Sequence, residues 1–218
     1  MKFTLASVVS IFACSLLCSP AARAQDASPT YPEPSPYPVS WELDFKHSRP
    51  KRIVVDVPGT FAPQAYWYIT YTVTNNTDQE QIFLPVFEML TNDGQVIRSD
   101  RNIPRRVFEA IKSRERNEFL EPFTTIGGQL RIGEEQAKDG VAIWPEPNPR
   151  MGQFSIFVSG LSGETAPVRD AQGNIVTNED GRPILLRKTL RLNYHIRGDE
   201  VYPGEDEVNE REHEWVMR

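Results

Sequence analysis

Histidine is the side chain most often used for proton transfer and metal binding near neutral pH, and this sequence has three. His47, His195 and His213 fit neither a His-Glu-x-x-His helix nor another recognised ligand spacing. His195 alternates with Tyr194 and Ile196, which places it on the solvent-facing side of a predicted strand. The histidines therefore predict neither a catalytic base nor a metal site.

Nucleophilic catalysis finds little support in the serines and cysteines. The segment VSGLSGE offers Ser159 and Ser162 but lacks the Gly-x-Ser-x-Gly sequence that presents a serine nucleophile on a sharp turn. The two cysteines, Cys14 and Cys18, both lie in the first 24 residues. A chain without that leader has no thiol, which excludes cysteine nucleophiles, thiolate zinc sites and iron–sulfur ligation.

Paired carboxylates are the chemistry of glycoside hydrolysis, and they leave a hydrolase of envelope carbohydrate or cell-wall material as an alternative function. Most acids of this chain fall in predicted loops and in the C-terminal tail. Glu88 is the acid inside a strongly apolar strand, between Phe87 and Met89. Alternation along that strand predicts that Glu88 faces outward.

A long polar hairpin, RDAQGNIVTNEDGRP, places Asp170, Asn174, Asn178 and Asp180 close together. Oxygen ligands on a loop suit calcium, but this spacing is not that of an EF-hand loop. The same residue types are needed for the turns of any long hairpin. A calcium- or small-ligand-binding accessory domain stays open as a second alternative, while the leading interpretation has no cofactor and no metal.

Two surface features indicate a partner. The aromatic residues at 66 and 68 alternate away from the predicted core. On an exposed face they would stack on a sugar or anchor a protein, whereas a helix packed over that face would make them core residues. The run from residue 98 to residue 116 holds seven bases and three acids, a net charge of +4 in an acidic protein. The candidate partner surface comprises Tyr66, Tyr68, Arg101, Arg105, Arg106 and Trp215.

The N-terminus resembles a secretory signal peptide. One lysine precedes 16 uncharged residues, 3 to 18, and a small-x-small sequence follows at Ala22-Arg23-Ala24. The apolar stretch is shorter than the roughly 20 residues that span a bilayer. Acylation of Cys14 or Cys18 is the lipoprotein alternative. We expect cleavage after Ala24, secretion or export to the periplasm, and no transmembrane segment in the mature chain.

Charge and length restrict the partners and the domain count. Without Lys2 and Arg23, 22 of the 24 bases remain against 30 acids, a net charge of about −8. An acidic protein has no general affinity for nucleic acid or anionic lipid, so neither is expected as a partner. A chain of this length forms one domain with a core of its own.

The elements follow from the periodicity. Residues 25–38 are rich in proline and predict an extended leader. Residues 39–198 carry about nine alternating segments separated by turns, including YWYITYTVT and a returning arm EQIFLPVFEML after an Asn-Asn-Thr-Asp turn. One amphipathic helix interrupts them, with Ile103, Val107 and Ile111 repeating every four residues. Residues 199–218 form an acidic tail without a clear strand period.

These elements predict an all-β fold, an antiparallel immunoglobulin-like β-sandwich of about nine strands with one inserted helix, and a barrel is the alternative. YTVTNNTDQEQIFLP, IGEEQAKDGVAIW and QFSIFVSG resemble the layout of small secreted bacterial immunoglobulin-like domains of unknown function, over roughly residues 65–160. This chain differs at Ile132, where those domains commonly have proline, and in its inserted helix. The resemblance implies a sandwich and no particular activity.

The leading interpretation is a non-catalytic binding or structural domain of the cell envelope, with an unknown envelope protein or glycan as its partner. The tail offers a further hypothesis. From residue 199 to residue 214 it holds eight acids and one base, and Trp215-Val216-Met217 follow. Such a tail is expected either to stay free or to fold back onto the basic helix region and bury Trp215 in an apolar groove there.

Overall fold

A computed structural model describes residues 30–147, 151–197 and 208–218. The predicted signal peptide therefore lies outside the described residues. Two α-helices are present, α1 (Arg105–Glu115) and α2 (Phe123–Ile126), with a short 3-10 turn at Glu134–Gln136. In chain order the strands are β1 (Asp44–His47), β2 (Lys51–Val55), β3 (Gln64–Thr74), β4 (Gln81–Phe83), β5 (Val86–Leu90), β6 (Val96–Arg98), β7 (Gly128–Leu130), β8 (Lys138–Pro145), β9 (Gln153–Ser159), β10 (Thr165–Pro167), β11 (Leu185–Ile196) and β12 (Val208–Met217).

The strands form two antiparallel sheets and a small ribbon. In the first sheet β3 is central: β1 and β2 pair with its two ends on one side, and β8 pairs with it on the other. The second sheet has the order β6-β5-β9-β11; β12 pairs with the outer edge of β11, and β10 pairs with the start of β11 on the same edge as β9. The ribbon consists of β4 and β7. These antiparallel sheets confirm the all-β sandwich.

The main core lies between the two sheets. As alternation predicts, Trp67, Ile69, Tyr71 and Val73 of β3 all point into it and are buried. From the opposite sheet it receives Phe87 and Met89 of β5, Phe154, Ile156 and Val158 of β9, and Leu190, Leu192, Tyr194 and Ile196 of β11. The rings of Tyr71 and Phe87 lie 4.8 Å apart across the sandwich. Residues from both sheets therefore share one apolar interior, as face-to-face packing requires.

Helix α1 covers the other face of the first sheet and makes a second core. Val107 and Ile111 of its predicted apolar stripe are fully buried against β3 and β8. Tyr66 and Tyr68 belong to this second core and are 6% and 0% exposed. Of the two predicted alternatives for these aromatics, the covered one is found, because the helix packs over the face that alternation leaves for them, and they form no exposed partner surface. The phenol of Tyr68 donates a hydrogen bond of 2.6 Å to Glu115 Oε1 at the end of α1.

The stretch from residue 66 to residue 90 is not a hairpin, contrary to the prediction. Its first arm is β3, in the first sheet, and its second arm is divided between β4 and β5, which belong to the ribbon and to the second sheet. Asn75 is fully buried where the chain leaves β3, and its Nδ2 donates to the carbonyls of Gln79 and Leu130. Alternation fixes which residues face the core, but it does not fix the sheet to which a strand belongs.

The described end of the acidic tail is a strand. Residues 208–217 form β12, which pairs with β11 over its length, so the domain extends past residue 198. The predicted docking of this tail on the basic helix region is wrong. Trp215 instead packs against the main core, because backbone hydrogen bonds to β11 fix its position opposite Leu190.

The described part of the proline-rich leader is extended and bonded to the domain. The backbone of Thr30 bridges that of Arg169, and the amide of Ser35 donates to Glu164 Oε1 over 2.9 Å. It is therefore more closely attached to the sandwich than a spacer. Among the described residues no helix is both long and apolar enough to cross a bilayer.

Candidate functional site

A cleft of about 580 Å³ opens where the two helices meet the edge of the first sheet. A volume of this size is typical of small-molecule sites. Its polar lining consists of Asp100, Arg105, Glu109, Thr124 and Thr125. Its apolar lining consists of Ile103, Pro104, Phe108, Pro122, Phe123 and Ile143. It is thus a mostly apolar concavity with a few polar groups, the usual character of a ligand site.

A tight loop before α1 positions the partly buried acid of this cleft. Asp100 and Asn102 both adopt left-handed backbone, with φ of 61° and 58°. Asp and Asn tolerate this conformation better than most residues. The amide of Asp100 donates a 2.8 Å hydrogen bond to the carbonyl of Ile143, so the loop attaches to the outer edge of β8. Pro104 then stands in extended conformation as the residue that caps α1.

Asp100 carries the unusual electrostatics of the site. Burial in this apolar setting raises the pKa of its carboxyl to about 6, although a hydrogen bond from Ser99 Oγ and one with the backbone of Ile143 act in the opposite direction. Asp93, Glu115, Glu164 and Asp170 shift the other way, since hydrogen bonds or cations lower the pKa of each carboxyl. Burial also raises the pKa of the Tyr71 phenol, and the charge of Asp100 contributes to that shift.

The predicted arginines lie beside the cleft. Arg101, Arg105 and Arg106 are all exposed, in agreement with a solvent-facing basic surface. Arg105 lines the cleft, and its Nε lies 3.3 Å from Glu109 Oε1 one turn along α1. Trp215, the last member of the predicted partner surface, lies in the second sheet and packs on the main core. The structure therefore separates the six predicted residues into an exposed basic group and three core-associated aromatics.

The histidines and serines stay outside the cleft. His47 Nε2 lies 3.7 Å from Glu210 Oε1, and its Nδ1 lies 3.4 Å from the phenol of Tyr194. Ser159 Oγ donates to the carbonyl of Val86, and Ser162 Oγ accepts a hydrogen bond from a nearby backbone amide. These contacts join neighbouring segments of the sandwich.

Glu88 faces outward from β5, as alternation predicts, and forms an ion pair of 2.8 Å with Arg218. In the polar hairpin, Asp170 Oδ1 accepts hydrogen bonds from the amides of Gln172 and Asn174. Asn178 Oδ1 does the same for Asp180 and Arg182. The candidate calcium ligands Asp170 and Asn178 are thus turn-forming residues here. In the described parts of the chain no three His, Cys, Asp or Glu side chains are grouped to hold a metal ion.

A larger groove, of about 730 Å³, runs along the outer face of the second sheet at a bulge in the pairing of β11 with β12. Its polar groups bind one another: Ser155 Oγ donates to Asn193 Oδ1 over 2.7 Å, and Arg191 Nη1 lies 3.0 Å from Glu214 Oε1. These polar groups are thus already paired within the protein, and none of them offers a ligand an uncompensated charge. The helix-flanked cleft is therefore the better candidate site.

Comparisons of the chain with protein-family models, with curated proteins and with solved structures found no match. The likeness to immunoglobulin-like domains stays a prediction. Function has to be inferred from the cleft itself.

Sequence reasoning missed Asp100, Phe123 and Ile143 as site residues. In the sequence Asp100 is one of the three acids in the basic run from residue 98 to residue 116. The available signal was local: Asp100 and Asn102 precede Ile103-Pro104 at the start of an amphipathic helix, a pattern typical of a tight loop. The remaining cleft walls come from α2, the residue before it and β8, which lie further along the sequence than that loop.

Proposed function

We propose that this protein is a secreted or periplasmic, non-catalytic binding domain of the cell envelope, and that the helix-flanked cleft is its ligand site. The observation that carries the proposal is an apolar cleft with a single desolvated carboxyl, Asp100. Desolvation and neutral hydrogen bonds account for the pKa of Asp100, without a charged partner among the causes. Glu109, the other carboxylate of the lining, is 52% exposed and paired with Arg105.

The alternative of a hydrolase requires ionisable side chains that act together in one cleft. Glycoside hydrolysis in particular uses two carboxyls with coupled roles, one as acid and the other as base or nucleophile. Asp100 alone provides one such group. Binding therefore fits the cleft better than hydrolysis does.

A cleft-filling variant tests the binding site. We expect apolar fragments to perturb the amide resonances of Ile103, Phe108 and Ile143 in two-dimensional NMR spectra. Thr124→Trp, on the exposed side of the lining, should abolish those shifts, whereas Gln172→Trp at a hairpin tip should retain them. Hydrolysis of a cell-wall or glycan substrate that Asp100→Asn abolishes would instead establish the hydrolase.

The proposed location is tested separately. The exported protein should begin at Gln25 and carry no lipid, which N-terminal sequencing and mass spectrometry of the envelope fraction measure. An N-terminus at an acylated Cys14 or Cys18 would contradict the predicted processing.

A further inference from the structure

The carboxyl of Asp100 is bonded to neutral groups only. Ser99 Oγ and the backbone of Ile143 are its hydrogen-bond partners. Other partly buried acids have a cation: Glu115 Oε2 lies 2.7 Å from Lys51 Nζ, and Glu146 Oε1 lies 2.6 Å from Arg52 Nε. Within the described residues, no Lys or Arg nitrogen comes within 4.0 Å of Asp100. A partly buried negative charge of this kind is stabilised by an opposite charge when one enters the site.

The rest of the cleft suits an apolar ligand body. Three lining residues are charged, Asp100, Arg105 and Glu109. Because Arg105 and Glu109 pair with each other, the charge of Asp100 is the one left uncompensated. Phe108 and Phe123 add aromatic side chains to the walls, and aromatic faces attract cations. The exposed Arg101 and Arg106 lie outside the lining, where solvent and salt screen their repulsion.

We propose that the cleft binds a primary ammonium group on an apolar stem, with the ammonium beside the Asp100 carboxylate and the stem against Ile103, Phe108 and Ile143. This inference rests on the proposed function of the cleft and adds its ligand class. An anionic ligand is disfavoured, since it would meet the Asp100 charge in a poorly solvated site. The same ammonium chemistry occurs in free alkylamines and in lysine side chains of peptides.

Binding of this kind depends on pH through Asp100. The other charged groups of the cleft lining are Arg105 and Glu109 on α1, and the phenol of Tyr71 on β3 is close enough for the charge of Asp100 to raise its pKa. Protonation of Asp100, whose pKa is about 6, removes the partner of the ammonium. If only the ionised form binds, affinity falls by the ionised fraction, roughly tenfold at one pH unit below the pKa. Binding should therefore be tighter at pH 7.5 than at pH 5.0.

The experiment titrates the purified full-length exported protein with n-hexylamine, n-hexanol and hexanoate and follows the cleft amides by NMR. We expect hexylamine to bind at least tenfold more tightly than hexanol at pH 7.5, with hexanoate weakest. The Kd of hexylamine should rise about tenfold at pH 5.0. Nα-acetyl-lysine methylamide serves as the second arm: affinity equal to that of hexylamine indicates a lysine side chain as the natural group, and weaker binding indicates a free amine.

Two variants test whether the Asp100 carboxyl causes the preference for hexylamine over hexanol. Asp100→Asn keeps a residue that tolerates the left-handed backbone and should make hexylamine bind no better than hexanol at either pH. Asp56→Asn, at an exposed carboxyl outside the cleft lining, should keep the full preference.

Equal affinities of hexylamine and hexanol in the unmodified protein would overturn the ammonium inference but leave the apolar binding cleft. Absence of binding by all probes would overturn both proposals. Hexylamine binding that survives Thr124→Trp would place the amine elsewhere and overturn the inference.

Discussion

Asp100 is charged at neutral pH in a place where water solvates it poorly. Burial raises the pKa of its carboxyl from 3.8 to about 6. A raised folded-state pKa means that the folded protein holds the proton more tightly than the unfolded chain does. The stability that this group contributes is then present below pH 3.8 and is lost as the pH rises to 6 and above.

The substitution Asp100→Asn tests the direction of this pH dependence of stability. At pH 7.5 the variant should be more stable than the unmodified protein, by about 2–3 kcal/mol for a shift of this size. Near pH 4 most of the difference should be gone, because the Asp100 carboxyl is then neutral in the folded protein and about half neutral in the unfolded chain. Urea unfolding of both proteins between pH 4 and pH 8 measures the difference, and carboxylates common to both proteins cancel. A difference that grows as the pH falls would contradict the burial of Asp100.

At the scale of elements, α1 is held to the first sheet by a narrow apolar stripe. Ile111 is 0% exposed in the second core, and Ser113, two residues later, is exposed. Ile111→Ala should cost about 2–4 kcal/mol of unfolding free energy, since it removes buried methyl groups and leaves a cavity. Ser113→Ala should change the free energy of unfolding by less than about 0.5 kcal/mol. Chemical denaturation compares the two variants, and equal small effects would mean that the helix is not docked.

Strand β12 should behave as part of the sandwich. Trp215 is half-buried on the main core, whereas His213 on the same strand is exposed. We expect Trp215→Ala to cost about 2 kcal/mol, less than a fully buried tryptophan would. His213→Ala should be nearly neutral. Thermal unfolding of both variants is the measurement, and a neutral Trp215→Ala would favour a detached tail.

These elements differ in how far the sequence predicts them. The core-facing residues of β3, β9 and β11 follow from alternation, because that pattern depends only on local backbone geometry. The pairing partners of β3 and β5 do not, since strand pairing depends on contacts far along the chain. Strand β12 escaped prediction because acids dominate its exposed side, and its strand state comes from hydrogen bonds to β11. The burial of Asp100 escaped prediction for a similar reason, because α2 and β8 create its surroundings.

At the scale of the whole molecule, Lys188 joins segments that are distant in sequence. Its side chain is 3% exposed, and Nζ lies 2.5 Å from Glu42 Oε1 and 3.3 Å from Glu164 Oε2. Nζ also donates to the carbonyl of Ser35 over 3.2 Å and lies 5.0 Å from the ring centre of Trp215. One ammonium thus connects the leader, the segment before β1, and strands β11 and β12.

The chain therefore closes around a buried charge cluster as well as around its apolar cores. A cluster of this kind stabilises weakly when complete, because desolvation opposes the attraction of its charges. Loss of one member is costly, since the remaining charges stay buried without a partner. The leader, whose Ser35 contributes both its amide and its carbonyl, should then lose this attachment and keep the backbone pairing of Thr30 with Arg169.

The substitution Lys188→Ala should lower the unfolding free energy by about 3 kcal/mol. This value is the lower end of the range for broken buried ion pairs, and we expect it because the cluster lies close to the molecular surface. It should also speed hydrogen exchange at the Ser35 amide, which donates to Glu164. Lys46→Ala is the matched control: its side chain is 77% exposed, with Asp44 Oδ2 at 3.7 Å, so its loss should change stability by less than about 1 kcal/mol. Hydrogen exchange with mass spectrometry and urea unfolding give the two readouts. Unchanged exchange at Ser35 in Lys188→Ala would show that the leader is held independently of this cluster.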